Sequence, residues 1–304
     1  MQNVDEDTIT QIVLARHANA ADGRLRQIMT NLVQHLHSFA RDVELTEEEW
    51  FKGIQFLADV GHITDDKRQE FILLSDTLGL SMLVTALNNR KPKGCTESTV
   101  FGPFFVEDAP EYKNGDNVAN GAKGESCFVS GKVTGLDGKA VADARIEVWQ
   151  ADSDGFYDVQ YEGLAGSQGR GMLRSQADGT FHFRSITAES YPIPHDGPVG
   201  RMLQALGRHP WRPAHLHFMI EAPGYERLIT HVFRSGDEYL NSDAVFGVRS
   251  SLIVDWDHHE AGQAPDGSES ATPFSSLDFT FVLNRLNANA AAGAATSKVV
   301  SATA

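Results

Sequence analysis

The chain is expected to be mainly β with an α-helical N-terminal part: a helical domain followed by a β-sandwich. Three observations predict this. Apolar residues recur at helical spacing through roughly the first ninety positions. Lys91-Pro-Lys-Gly94 and Gly102-Pro103 then break the pattern. Beyond the break, short alternating runs are separated by turn residues, as in a sandwich of short strands.

Ile28-Met29, Leu32-Val33 and Leu36 mark a helix whose His35 and His37, two residues apart, point about 200° away from each other. Those two imidazoles read as surface or packing residues. Thr46 and Glu49 form a capping box, after which Trp50, Ile54, Leu57 and Ala58 follow helical spacing until Gly61 stops the segment. Thr64 is predicted to open another helix, through Phe71, Leu74, Leu78 and Leu83 to Leu87. The apolar content exceeds what one helix face needs, which suggests a helix-mediated homodimer. Strands are expected over 127–133, 145–149, 180–184, 214–220, 228–234, 249–255 and 277–283, with turns at Asp137-Gly138 and Asp178-Gly179. The domains are thus 1–97, helical; 98–286, sandwich; and 287–304, an Ala-rich tail with Ser and Thr, disordered or lightly tethered.

Bulk properties narrow the function. The 304 residues carry 26 Lys plus Arg against 41 Asp plus Glu, and the formal charge of -15 would repel a nucleic-acid backbone or an anionic membrane surface. Cys95 and Cys127 lie in different segments without metal-binding spacing, which suits a reducing compartment. The N-terminus lacks the basic start and apolar run of a secretory signal, and no apolar stretch approaches the ~20 residues a membrane span needs. A cytoplasmic protein is expected.

The chemistry concentrates in four side chains able to bind a metal: Tyr157, Tyr191, His215 and His217. A tyrosine becomes a ligand only after losing a proton held with pKa near ~10. Two phenols beside two imidazoles therefore suit a hard, strongly acidic cation, Fe3+ rather than Zn2+ or Fe2+. His215 and His217 flank Leu216 in a predicted strand, so both imidazoles project from one face. A lone histidine there would read as a satisfied core residue; two on one face, just after Arg212-Pro213, read as ligands. Tyr157 follows the turn signal Asp154-Gly155 at the end of a strand, and alone it would read as a half-buried tyrosine; Tyr161 competes with it. Tyr191 precedes Pro192-Ile193-Pro194, whose prolines stiffen an extended backbone. Arg212 stays charged and could stabilise negative charge on a bound ring, or form an ordinary ion pair.

Asp152-Ser-Asp-Gly-Phe-Tyr-Asp158, Ser190-Tyr-Pro-Ile-Pro-His-Asp-Gly-Pro-Val-Gly200 and Trp211-Arg-Pro-Ala-His-Leu-His-Phe218 resemble the three active-site segments of intradiol ring-cleaving dioxygenases, over roughly residues 25–285. Within that family, Ser98-Thr-Val-Phe-Gly-Pro-Phe-Phe105 points toward the hydroxyquinol branch; the segment at Tyr191 is also close to the chlorocatechol branch. The resemblance favours Tyr157 over Tyr161. It implies Fe(III) held by Tyr157, Tyr191, His215 and His217, with Tyr191 released when an aromatic diol or triol arrives, and Arg212 in a catalytic role. It also implies reaction with O2 to a muconate that tautomerises to maleylacetate. Pocket walls implied are Leu73, Asp76, Val100, Phe101, Gly102, Pro103, Phe104, Ile193, Pro194 and Val245. Asp76 could accept a third ring hydroxyl, or cap a helix at Ser75-Asp76-Thr77. The helical part is implied to make dimer contacts, with a phospholipid as a possible incidental guest.

Three rivals stand beside this reading. The nearest is a catechol or chlorocatechol 1,2-dioxygenase of the same mechanism. His215-x-His217-x3-Glu221 mimics part of a cupin metal motif, but the downstream Pro-x-Gly-x2-His element is missing. A non-catalytic β-sandwich binding module shares the fold class and is disfavoured by the four donors.

Overall fold

A computed structural model describes residues 4–65 and 68–286; the expected tail at 287–304 lies outside them. The chain forms two compact units, residues 1–59 and 60–304, divided within a helix. In the first, α1 (Ile9–His17) packs on α2 (Gly23–Asp42), and α3 (Glu47–Ile63) begins. Asp22 caps α2 by accepting from the amides of Arg24 and Leu25. The capping box is present: Thr46 N donates to Glu49 Oε2 at 3.0 Å and Glu49 N to Thr46 Oγ1 at 3.3 Å. His37 Nδ1 meets Thr10 Oγ1 at 2.9 Å, a packing role for that histidine. Leu25, Ile28, Leu32, Leu36 and Phe39 recur three or four residues apart along α2, and all five are exposed.

In the second unit the helix expected from Thr64 is two shorter ones. Thr64 Oγ1 instead donates to Val60 O, at the end of α3. Next come α4 (Glu70–Thr77) and α5 (Leu80–Asn88). Between them Gly79 adopts φ 76, a left-handed turn only glycine takes without strain, and the axis bends by 78°. The apolar pattern from Phe71 to Leu87 ran through this joint because periodicity does not report backbone handedness. Among the described residues no single helix is long and apolar enough to cross a membrane; the bent α4–α5 pair meets the length and composition limits only when the two are taken together.

The strands are β1 (Ser126–Gly135), β2 (Arg145–Trp149), β3 (Arg170–Arg174), β4 (Thr180–Ile186), β5 (Tyr191–Pro192), β6 (Trp211–Arg212), β7 (His215–Glu221), β8 (Leu228–Arg234), β9 (Ile253–Val254), β10 (Asp257–His259), β11 (Gly262–Gln263), β12 (Glu269–Ser270) and β13 (Phe274–Leu283), with α6 (Pro198–Ala205) between β5 and β6. The strand expected over 249–255 survives only as β9, because Ser250–Leu252 close a 3-10 turn. One sheet has the order β10-β13-β1-β4 and the other β3-β2-β7-β8-β9; β5-β6 and β11-β12 are two-stranded ladders.

A single apolar core joins the two larger sheets. It draws Val129, Val133, Phe181, Phe183, Leu277 and Phe281 from the first, and Ile146, Val148, Leu216, Phe218, Ile220, Leu228 and Val232 from the second. Strand parity then dictates what the second sheet shows on its other face. If Leu216 and Phe218 point to the core, His215 and His217 cannot; if Val232 does, His231 cannot. Trp149, His217 and His231 lie side by side in register across β2, β7 and β8 on that far face. All three are nonetheless fully buried, since the loops covering this face seal it.

Candidate metal centre and substrate cavity

Four donors converge over the covered face of the second sheet. Tyr157 Oη lies 2.9 Å from His217 Nε2 and 3.2 Å from Tyr191 Oη. His215 Nε2 is 3.2 Å from His217 Nε2. Each donor is fixed by local structure. Tyr157 precedes a 3-10 turn over Asp158–Gln160, where its backbone amide donates to Gln160 Oε1 at 2.8 Å, and Phe104 stacks on its ring at 4.4 Å between centroids. Tyr191 is held by the β5-β6 ladder directly opposite Arg212. His215 Nδ1 faces Pro213 O at 2.7 Å, so a proton there donates to that carbonyl and leaves Nε2 as a lone pair toward the cluster. His217 is sandwiched by Trp149, stacked at 4.6 Å, and approached by Gly102, whose φ of 78 and lack of a Cβ let the backbone come close to the imidazole. Tyr161, the competitor for Tyr157, gives its hydroxyl to Asp152 Oδ2 at 2.7 Å and takes no part in the cluster.

Protonation states suit cation binding. Burial, with Arg212 nearby, pulls the His215 pKa down to about 3. Burial and the neighbouring His215 push that of His217 well below the ordinary value. Both imidazoles are thus neutral, the state a metal requires. Burial and the adjacent Tyr191 raise the Tyr157 pKa well above that of a free phenol, so its proton leaves only when a strong positive charge replaces it.

Arg212 is buried and charged. Although burial opposes its charge, Asp243 and the phenols of Tyr191 and Tyr157 hold its pKa above the ordinary value. Asp243 accepts from Arg212 Nε at 3.1 Å and also from the amides of Gly247 and Val245, so one carboxylate fixes the guanidinium and a cavity wall together. Arg212 Nη1 in turn lies 3.3 Å from His215 Nε2.

A cavity of about 450 Å3 opens beside the cluster. Leu73, Asp76, Val100, Gly102, Pro103, Phe104, Tyr191, Ile193, Pro194, Arg212 and Val245 line it. Phe101 does not. It packs against Phe105 and Trp149, because in the turn at Gly102 its neighbour's backbone, rather than its ring, faces the cavity. Asp76 lies in the last turn of α4 and does not cap α5, whose N-cap is Gly79; its carboxyl is buried at the cavity wall. Burial raises its pKa, against the pull of Ser81 and Arg212.

Three further groups escape a reading of the sequence. His231 sits on the strand expected over 228–234, but nothing in the sequence sets its register opposite His217; it completes a group of three imidazoles whose candidate ligand atoms lie within 4.8 Å of one another. Asp243 lies in a loop with no motif to mark it. Arg170 and Asp158 form a fully buried, bidentate pair, with Arg170 Nε 2.7 Å from Asp158 Oδ2 and Nη1 giving 2.8 Å to Phe104 O. That pair ties the residue after Tyr157 to the residue stacked on it. Arg170→Met is therefore expected to strand a buried carboxylate and lower stability by about 3–5 kcal/mol, read as a shifted urea midpoint with unchanged slope. A loss under about 1 kcal/mol would show that the pair carries no such role.

Comparison with known proteins places the chain among dioxygenases. A family model described as the catechol dioxygenase N terminus matches residues 22–96, and one described as dioxygenase matches 100–285. The chain is 63% identical over 284 residues to the 6-chlorohydroxyquinol 1,2-dioxygenase of Cupriavidus pinatubonensis, covering 93% of this chain and 99% of that protein. It is 52% identical over 283 residues to the hydroxyquinol 1,2-dioxygenase of Nocardioides simplex, covering 93% and 96%. The crystal structure of hydroxyquinol 1,2-dioxygenase from Pseudomonas putida DLL-E4 superposes with a TM-score of 0.87 at 46% identity, over 92% of this chain and 99% of that one.

Proposed function

The chain belongs to the intradiol ring-cleaving dioxygenase family, and from that premise we propose that it opens hydroxyquinol, 1,2,4-trihydroxybenzene, with dioxygen at a ferric ion. The carbon–carbon bond between the adjacent hydroxyl carbons breaks, and both dioxygen atoms end in the dicarboxylate product, 3-hydroxy-cis,cis-muconate, which tautomerises to maleylacetate. The observation that carries this reading is the convergence of two phenols and two neutral imidazoles within 2.9–3.2 Å contacts at the end of an aromatic-sized cavity.

Those donors fit a trivalent iron. Tyr157, Tyr191, His215 and His217 would hold it, two anionic oxygens balancing much of its charge. When bound, such an ion lets a chelated diol react with triplet oxygen, a reaction otherwise slow. The residues supply the rest. Tyr191 belongs both to the donor cluster and to the cavity wall, whereas Tyr157 lines no part of the cavity. Tyr191 is thus the phenol placed to take a hydroxyl proton from an arriving diol and to yield its position, while Tyr157 stays fixed. Arg212, held by Asp243, presents a permanent charge to a deprotonated ring without moving. Leu73, Val100, Ile193 and Val245 exclude water along the ring faces. Asp76 sets a buried carboxyl among these apolar side chains and accepts the third hydroxyl of the triol.

Oxygen uptake tests the proposal directly. Hydroxyquinol and 6-chlorohydroxyquinol should be consumed in preference to catechol, with one O2 per ring. Asp76→Leu should slow the triols by about 10–100-fold, the worth of one hydrogen bond to a charged group, while changing catechol turnover little. Faster uptake with catechol in the unaltered enzyme would make it a catechol 1,2-dioxygenase instead, and equal losses for both ring types would remove Asp76 from specificity.

The remaining expectations belong to the same proposal. Residues 98–286 carry the metal donors and Arg212, 1–97 adds Leu73 and Asp76 to the cavity wall, and the exposed apolar face of α2 offers a surface for a second copy of the chain. The acidic surface suits the cytoplasm.

A further inference from the structure

His231 is the buried polar group at this centre that the reaction above leaves unused. Its imidazole is wholly buried, in register with His217 across β7 and β8, with ring centroids 4.1 Å apart; that of His215 is 4.7 Å away. Neither His231 Nδ1 nor Nε2 has a hydrogen-bond partner among the described residues. A neutral imidazole carries one donor and one acceptor, and leaving both unmade in a dry interior destabilises the fold. Around it lie Phe233 and the two ligand imidazoles, so a leucine would fill the same volume without that penalty. A polar side chain that weakens the fold and points at a reactive centre serves something that arrives there.

We propose that His231 hydrogen-bonds an oxygen atom that enters this centre with the metal or with the triol. The inference rests on the functional reading above. The competing use of the same ring is as a third imidazole ligand, which the 4.8 Å grouping with His215 and His217 permits. Tyr157 and Tyr191 already complete a four-donor set with those two histidines, so His231 acts beside the set and not within it.

The test compares His231→Leu and His231→Gln with the unaltered enzyme, both metal-loaded and metal-stripped. Stripped His231→Leu should melt about 2 °C or more above the stripped unaltered protein, because two orphaned nitrogens are gone. Loaded His231→Leu should keep full metal content and colour yet lose about 10–100-fold in triol turnover. His231→Gln, which retains a donor and an acceptor, should recover most turnover and forfeit the gain in melting temperature. Anaerobic titration with triol separates the two sources of the oxygen. A weaker complex in His231→Leu identifies the triol; an unchanged complex with an altered resting iron spectrum identifies solvent.

Loss of metal from loaded His231→Leu would make the ring a ligand and overturn the proposal. So would a lower melting temperature of the stripped variant, or turnover equal to the unaltered enzyme. Failure of the unaltered enzyme to oxidise triols would sink the functional reading instead, and the melting comparison would still judge His231.

Discussion

Iron-loaded protein is expected to be red-brown from phenolate-to-iron charge transfer, and replacing Tyr157 with phenylalanine to bleach most of that colour and to reduce ring cleavage by more than about 100-fold, beyond what loss of an outer partner costs. The substitution removes one oxygen and little else. The ring still stacks on Phe104, the backbone amide still donates to Gln160, and the Arg170–Asp158 pair beneath is untouched, so folding should persist. His217 Nε2 loses its 2.9 Å contact but keeps His215 Nε2 at 3.2 Å. The phenolate's charge is what cannot be replaced. With only Tyr191 left to offer an anionic oxygen, a trivalent ion is held less tightly and a divalent one gains. Metal analysis, the visible spectrum and oxygen uptake read the three consequences separately. Normal colour and turnover would strike Tyr157 from the ligand set, and a protein containing stoichiometric zinc without colour would defeat the ferric assignment altogether.

Metal-stripped protein is expected to lose stability steeply as pH falls below 6.5. His215, His217 and His231 are buried and neutral, each with a folded-state pKa under the ordinary 6.5, that of His215 near 3. The unfolded chain therefore takes up protons that the folded chain refuses. The stability these groups contribute is complete above 6.5 and drains away as pH drops toward 3. Three protons give a slope of up to about 4 kcal/mol per pH unit in that window. Asp76 and Glu147 work the other way, since burial raises their pKa values and makes acid favourable to the folded form, but they are two groups against three. Urea midpoints measured from pH 7.5 down to 5 check the slope. A flat profile would mean that the imidazoles are hydrated and not sealed. In the loaded enzyme protons compete with the metal for the same lone pairs, so metal release should follow the same window.

The sequence alone pointed to the chemistry. Two tyrosines and a His-Leu-His strand, in segments that resemble a known family, make up a donor set suited to a hard cation, because ligand preference is a property of the atoms. It also determined the helical and sandwich halves, since period and turn residues are local signals. What it left open depended on contacts between distant segments. The helix from Phe71 to Leu87 broke at Gly79 because periodicity carries no sign for φ. β3, which supplies Arg170, had no alternation to announce it, being buried along nearly its whole length. Phe101 left the cavity because the turn at Gly102 decides which way its ring faces. The resemblance had favoured Tyr157 over Tyr161, and in the fold Asp152 engages the Tyr161 hydroxyl while Tyr157 meets His217.

Only the tertiary structure placed His231 against His217, Asp243 against Arg212 and Asp158 against Arg170. Register between strands and the path of loops are fixed by how the whole core packs, and a one-residue slip would have turned His231 toward the sandwich interior. Motifs and the family they resemble named the donors, but only folding could say which neighbours hold them still and which wait for a partner.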